Sequence, residues 1–258
     1  MKARLLASIL AVVGTLVLAL GPASASAATL GQTTASANYF CTAEYDLQTG
    51  VSSGTGFVVP PGSWLLTSWS TFAGSYGGSM SLMIFRRAAV SGAYTVIAES
   101  PVQTLAPNGL NSFSASVLVQ GGDLLGFWSG NAASCATFTG LPGDVNPYSF
   151  GPEPQVGTTV FPDVTPGYLL NISATINSPA DLLANLLADV SGQGPGTSLA
   201  DKVTLVEAYV AANNKTAACS TLTDFISEVK AQDGKTLGAA QAASFTTQAT
   251  NIEATLGC

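Results

Sequence analysis

Near Ser178 the apolar residues change their repeat, and no single uniform layer accommodates both patterns. Before it, Phe113, Ala115, Val117 and Val119 alternate with Ser112, Ser114, Ser116 and Leu118, while Leu170, Ile172, Ala174 and Ile176 alternate with Asn171, Ser173 and Thr175. A repeat of two places such residues on one face of a strand. Residues 80–85 are apolar on both faces, the pattern of a central strand covered from two sides. Runs at 38–45, 51–59, 64–72, 94–99, 124–128 and 158–161, set between Gly, Pro, Asn and Ser clusters, bring the total to about eight or nine strands. The spacing predicts an all-β antiparallel sandwich over residues 28–178, and a jelly roll fits that strand count.

After Ser178 the repeat is that of a helix. Leu183, Leu186, Leu187 and Val190 fall at i, i+3, i+4 and i+7, as do Leu222, Phe225, Ile226 and Val229. Leu199, Val203, Val206 and Val210 form a similar stripe, and Phe245, Ala249, Ile252 and Leu256 a fourth. Ser178, Pro179 and Asp181 supply an N-cap, a proline at N1 and an acid at N3, while Gly192, Asn213-Asn214 and Asp233-Gly234 interrupt between stripes. Four helices of ~11 to 19 residues over 179–258 predict a small all-α bundle. Composition divides at the same point: residues 28–178 hold 18 of the 21 aromatics and only nine charged side chains, against twelve charges in the 80 residues that follow.

The first residues read as a targeting segment. Lys2 and Arg4 precede a sixteen-residue run, 5–20, that is apolar apart from Ser8, Gly14 and Thr15; Gly21-Pro22 ends it, and small residues follow to Ala27. This predicts a secretory signal peptide over 1–27, because the run falls short of the ~20 residues that span a bilayer. Localisation is expected to be extracellular, with no membrane span after cleavage. Six cations and fifteen acids then remain, which argues against a nucleic-acid partner.

Export lets thiols pair and persist. Four cysteines allow three pairings. Cys41 and Cys135 precede the change of period and Cys219 and Cys258 follow it, so one disulfide in each part is the economical assignment. Cys219 opens the third helical stripe and Cys258 ends the fourth, which places them at one end of a helical hairpin. A catalytic thiol is disfavoured because the chain has no histidine, and the same absence removes Ser-His-Asp triads and imidazole chemistry.

The run Phe-Ile-Ser-Glu-Val-Lys-Ala-Gln-Asp-Gly-Lys-Thr-Leu over 225–237, followed by Ile-Glu-Ala-Thr-Leu over 252–256, resembles the helical domain found as a factor in many actinobacterial hydrolases (FIMAH), across 182–258. Val59-Pro60-Pro61-Gly62, Trp69 and Val-Gln-Gly-Gly-Asp-Leu-Leu-Gly over 119–126 resemble secreted actinobacterial β-sandwich proteins of unassigned function. The first resemblance implies an accessory domain of an exported protein, with no catalytic residues to carry over.

Three constellations bear on chemistry. Glu44 and Asp46 sit two apart on a strand and share a face, either as an acid pair or as a solvated strand end; with Glu99 they are the acids a glycosidase would draw on. Asp123, Asp144, Asn146, Glu153 and Asp163 fall in expected loops and supply oxygen ligands of the kind calcium takes, without the D-x-[DN]-x-[DN]-G spacing. No other cofactor is expected. Trp64, Trp69, Trp128, Tyr45, Tyr76 and Tyr148 are candidate platforms for sugar rings, and Trp64, Trp128, Tyr76 and Tyr148 are the ligand-binding residues selected from them. Arg86 and Arg87 follow an apolar strand and read as its charged end. Asn171-Ile-Ser173 and Asn214-Lys-Thr216 are glycosylation sequons in pattern only. The expected function is that of a secreted, non-enzymatic protein binding a polysaccharide or cell-envelope component. A carboxylate-dependent glycoside hydrolase or lyase is the alternative, and a structural or adhesive surface protein the second.

Overall fold

A computed structural model describes residues 27–258 apart from Ser53 and Ala132; the expected signal peptide lies outside the described residues. Fifteen strands precede four helices. The strands are β1 (Ala28–Gln32), β2 (Tyr39–Cys41), β3 (Glu44–Leu47), β4 (Ser63–Ala73), β5 (Ser79–Arg87), β6 (Tyr94–Glu99), β7 (Gln103–Thr104) and β8 (Gly109–Gln120), then β9 (Leu124–Asn131), β10 (Ala133–Phe138), β11 (Val145–Phe150), β12 (Thr159–Val160), β13 (Asp163–Pro166), β14 (Tyr168–Leu170) and β15 (Ile172–Asn177). The helices are α1 (Pro179–Val190), α2 (Ser198–Ala211), α3 (Lys215–Gln232) and α4 (Ala239–Leu256).

Every strand pairing is antiparallel. One sheet has the order β1-β15-β4-β8, a small one β14-β10-β2, and a large one β12-β6-β5-β9-β3-β11-β13 with β7 added beside β5. Leu66 and Trp69 of β4 and Ile172, Ala174 and Ile176 of β15 share a core with Met80, Leu82 and Ile84 of β5 and Phe127 of β9. The opposite face of the large sheet carries its own core, where Tyr45, Leu47, Met83, Phe85 and Val96 meet. Residues 80–85 therefore do bury both faces, except that Ser81 on the outer face is satisfied by a hydrogen bond from its hydroxyl to Glu153.

The strands number more than the eight or nine expected, and two of the expected runs differ locally from the strands observed. Residues 38–45 split into β2 and β3 because Ala43 takes φ +48°, which no extended strand contains. Residues 51–59 contribute only an isolated bridge, Val58 to Leu124, because Ser52, Gly54 and Gly56 interrupt the run. β10 and β11 were not evident in the sequence: one is built of small residues and the other carries Pro147.

The last strand ends at Asn177 and α1 begins at Pro179, capped by Ser178, whose hydroxyl and backbone N–H both bond the Asp181 carboxylate. Three of the four residues in each expected stripe are buried, with Leu186, Val203, Phe225 and Ile252 in one common core and Leu187, Val210, Ile226 and Leu256 half-buried against it. Both disulfides form as the composition suggested, Cys41–Cys135 with Cα atoms 5.7 Å apart and Cys219–Cys258 with 5.6 Å.

Arg86 is more than a strand end. Its Nε and Nη2 donate to the two oxygens of Asp123 at 2.7 and 2.9 Å, and Asp123 also accepts the Gln120 N–H in the turn between β8 and β9. The Asp123 side chain is 1% exposed and the Arg86 side chain 44%. Arg86→Ala leaves a buried carboxylate without its cation and should cost about 3 to 5 kcal/mol, whereas Asp123→Ala leaves a solvated cation and should cost about 2 kcal/mol. Urea unfolding of the two variants checks the order; equal losses would show the carboxylate to be solvated.

Candidate functional site

β3 faces two ways. Its outward residues, Tyr45 and Leu47, join the outer core. Its inward row is polar: Glu44 is 1% exposed, Asp46 3%, and Gln48, just past the strand end, is fully buried. This row looks across to the small sheet, and the three members are satisfied very unequally. Gln48 donates to the Gly50, Val145 and Tyr168 carbonyls and accepts the Leu170 N–H, so it ties β3 to β14. Asp46 accepts one bond from the Asn146 amide at 3.1 Å, and its Oδ2 has no partner. Neither oxygen of Glu44 has one.

A cleft of about 100 Å³ opens where the edges of the large and small sheets approach. Tyr39 of β2 and Tyr168 of β14 come from the small sheet; Asp46, Asn146, Tyr148 and Thr165 come from β3, β11 and β13. The rings of Tyr39 and Tyr168 meet at 65° with centroids 5.0 Å apart, which makes a corner of the wall. Register explains the other side, because Tyr148 is the Cα partner of Asp46 and so projects from the same face. The aromatic wall continues outward, from Tyr168 to Phe138 at 5.1 Å and from Tyr148 to Phe150 at 5.5 Å. Phe138 and Phe150 are well exposed.

Electrostatics at the floor are set by burial. Glu44 is pushed up to about 7, first by desolvation, with the neighbouring Thr42 backbone offsetting only part. Asp46 is held well above the ordinary carboxylate value by burial and then by the Glu44 charge, against the lowering effect of the Asn146 amide. The Tyr39 hydroxyl is raised by burial and then by Glu44. Glu44 lies within 4.8 Å of the Cys41 and Cys135 sulfurs, which are bonded to each other and unavailable to a metal.

Of the aromatics selected from sequence, Tyr148 alone lines this cleft. Tyr76 is 79% exposed and meets Phe40 edge-on at 6.0 Å. Trp64 donates its indole N–H to the Pro60 carbonyl and packs on the main core, and Trp128 donates to Gly151 and packs on the outer core. Trp69 is buried. The oxygen donors considered for calcium are dispersed. Asp123 is held by Arg86, Asp144 accepts the Ser52 N–H and the Thr139 hydroxyl, Asn146 joins Asp46, Glu153 bonds Ser81, and Asp163 is exposed on β13. The Asn171 side chain is buried and donates to Phe72 and Ser134, so that sequon is part of the interior. Tyr39, Tyr168, Asn146 and Thr165 were not singled out beforehand as parts of one site; the cluster Asn38-Tyr39-Phe40 before Cys41 is the signal that points to it.

No family model and no curated protein matches the chain.

A carboxyl whose folded value is raised stabilises the fold below its unfolded value and loses that contribution as pH rises through the folded one. For Glu44 the window runs from 4.5 to about 7. Glu44→Gln should therefore leave stability at pH 4 nearly unchanged and raise it by about 3 kcal/mol at pH 8, since one unit corresponds to about 1.4 kcal/mol. Urea titrations at the two pH values measure this; an equal effect at both would mean that the Glu44 carboxyl titrates in the fold as it does in the unfolded chain.

Proposed function

We propose that the chain is an exported, non-enzymatic binding protein whose jelly-roll-like sandwich takes a polysaccharide or cell-envelope component at the cleft walled by Tyr39, Tyr148 and Tyr168. A four-helix, FIMAH-like accessory bundle follows it. The observation that carries this reading is the aromatic band, in which Phe138, Tyr168 and Tyr39 on one side and Tyr148 and Phe150 on the other flank one polar-floored cleft. Sugar rings present flat C–H faces to aromatic side chains and hydroxyls to polar groups, and such a band offers both. At about 100 Å³ the cleft is well below the ~300 to 1,000 Å³ of a site that engulfs its ligand, so the polymer lies along the band and inserts one substituent. The two disulfides suit an oxidising compartment.

One observation favours a carboxylate-dependent hydrolase or lyase as a second reading: Glu44, with its value near 7, stands two residues from Asp46 on the same face. Against it, Asp46 lines the cleft whereas Glu44 is 1% exposed and sits against the disulfide.

Retention on insoluble polysaccharides and glycan arrays tests binding. Tyr148→Ala and Tyr168→Ala should each weaken retention about tenfold, the equivalent of about 1.4 kcal/mol, with no soluble sugar released over time. Wild-type protein that binds no glycan would overturn the binding reading, and sugar release lost in Glu44→Gln would favour the hydrolase.

A further inference from the structure

The floor of the cleft determines what substituent enters it. Asp46, which lines the cleft, has a buried carboxyl oxygen that no protein group satisfies, and Glu44, two residues away on the same strand, has two more. Leaving such groups unpaired is costly, and the usual remedy is a cation. Among the described residues the fold supplies none. Arg86 is committed to Asp123, Arg87 lies 5.7 Å above the Tyr94 ring, and the lysines among the described residues all follow Ser178.

The walls narrow the kind of cation. A hard metal ion wants about six oxygen ligands, but three of the six lining residues are tyrosines, and the Cys41, Glu44, Cys135 cluster has its sulfurs joined. Tyrosine faces carry negative quadrupole density and attract weakly hydrated organic cations. Two rings meeting at 65°, a third from β11 and a carboxyl beneath them form a cage, and about 100 Å³ holds a headgroup of a few heavy atoms.

We infer that the cleft binds an organic ammonium group, a protonated amine or its methylated form carried by the ligand, with Tyr39, Tyr148 and Tyr168 as the cage and Asp46 as the counter-ion. This rests on the reading of the cleft as a ligand site. The groups facing Asp46 are Glu44 on its own strand, Tyr39, Tyr168, Tyr148, Asn146 and Thr165, none of them cationic. Burial and the Glu44 charge raise the Asp46 carboxyl well above its ordinary value, and a seated ammonium ion lowers it again, so binding is coupled to loss of the Asp46 proton and tightens as pH rises through the raised value.

Calorimetry on the full chain, with choline and its neutral carbon analogue 3,3-dimethylbutan-1-ol, tests the assignment at pH 6 and pH 8. Choline should bind at least tenfold more tightly than the alcohol, more so at pH 8, with a proton released that is read as a buffer-dependent heat. Asp46→Asn should lose at least tenfold in choline affinity, the proton release and the pH dependence, while still melting cooperatively; Tyr148→Ala should lose choline affinity with Asp46 intact. Equal affinity for choline and the alcohol, or an Asp46→Asn protein that binds choline as the wild type does, overturns the ammonium assignment. If the same protein is still retained by neutral polysaccharide and Tyr148→Ala still weakens that retention, the cleft remains a glycan site without a cation subsite. If neither choline nor any polysaccharide binds, both readings fall.

Discussion

The β-region is organised around one strand whose inward row cannot be buried cheaply. Glu44, Asp46 and Gln48 point into the space between the large sheet and β14-β10-β2, where apolar residues would ordinarily meet. Every polar atom taken out of water there must find a partner or lower stability by one to several kcal/mol. Gln48 meets the requirement completely, and in doing so fixes the small sheet against the large one through the Tyr168 carbonyl and the Leu170 N–H. Asn171 repeats the device beyond β14, accepting the Thr34 N–H and donating to Phe72 and Ser134. These amides and the Cys41–Cys135 bridge supplement the apolar contacts that Ala133, Ala136, Leu169 and Leu170 of the small sheet make with the main core.

Elsewhere the fold follows ordinary burial. The large sheet covers a core on each face, so β5 must be apolar in both directions, and the one polar residue in its middle, Ser81, requires Glu153 to come over it. Glu153 in turn helps burial raise Glu99. The helical region bears two-thirds of its charge as acids but buries only Asp181 among them, at a capping position where the helix N-terminus welcomes a carboxylate.

Much of the architecture was legible in the sequence because it rests on local repeats. The four stripes, the Ser178 cap and the alternation in β8 and β15 are written within windows of about a dozen residues, and the cysteine pairing followed from where those windows change. The cleft was not legible for the same physical reason in reverse. Glu-Tyr-Asp-Leu at β3 reads equally as a strand with its acids in solvent; that they are inside depends on β2 and β14 pairing with β10, across separations of 92 to 97 residues for β2 and 30 to 34 for β14. Tyr39 and Tyr168 become neighbours only through that pairing. The selected tryptophans illustrate the converse: an indole near proline or glycine looks free in sequence, yet Trp64 and Trp128 spend their N–H on those very loops.

Gln48 shows what purely structural economy would place along this row. A neutral amide at the end of β3 makes four hydrogen bonds and leaves nothing unpaired. Glu44 and Asp46 occupy the two preceding inward positions with groups of nearly the same shape and far higher cost. Glu44 alone, displaced from 4.5 to about 7, gives up about 3 kcal/mol at neutral pH and above, a sizeable part of the 5 to 15 kcal/mol by which a domain is stable. Departures from local consistency of this kind concentrate at functional sites, where strain in the free protein becomes affinity for whatever relieves it. In this cleft, relief means positive charge arriving between the tyrosines, because within the described residues the chain keeps its own cations elsewhere.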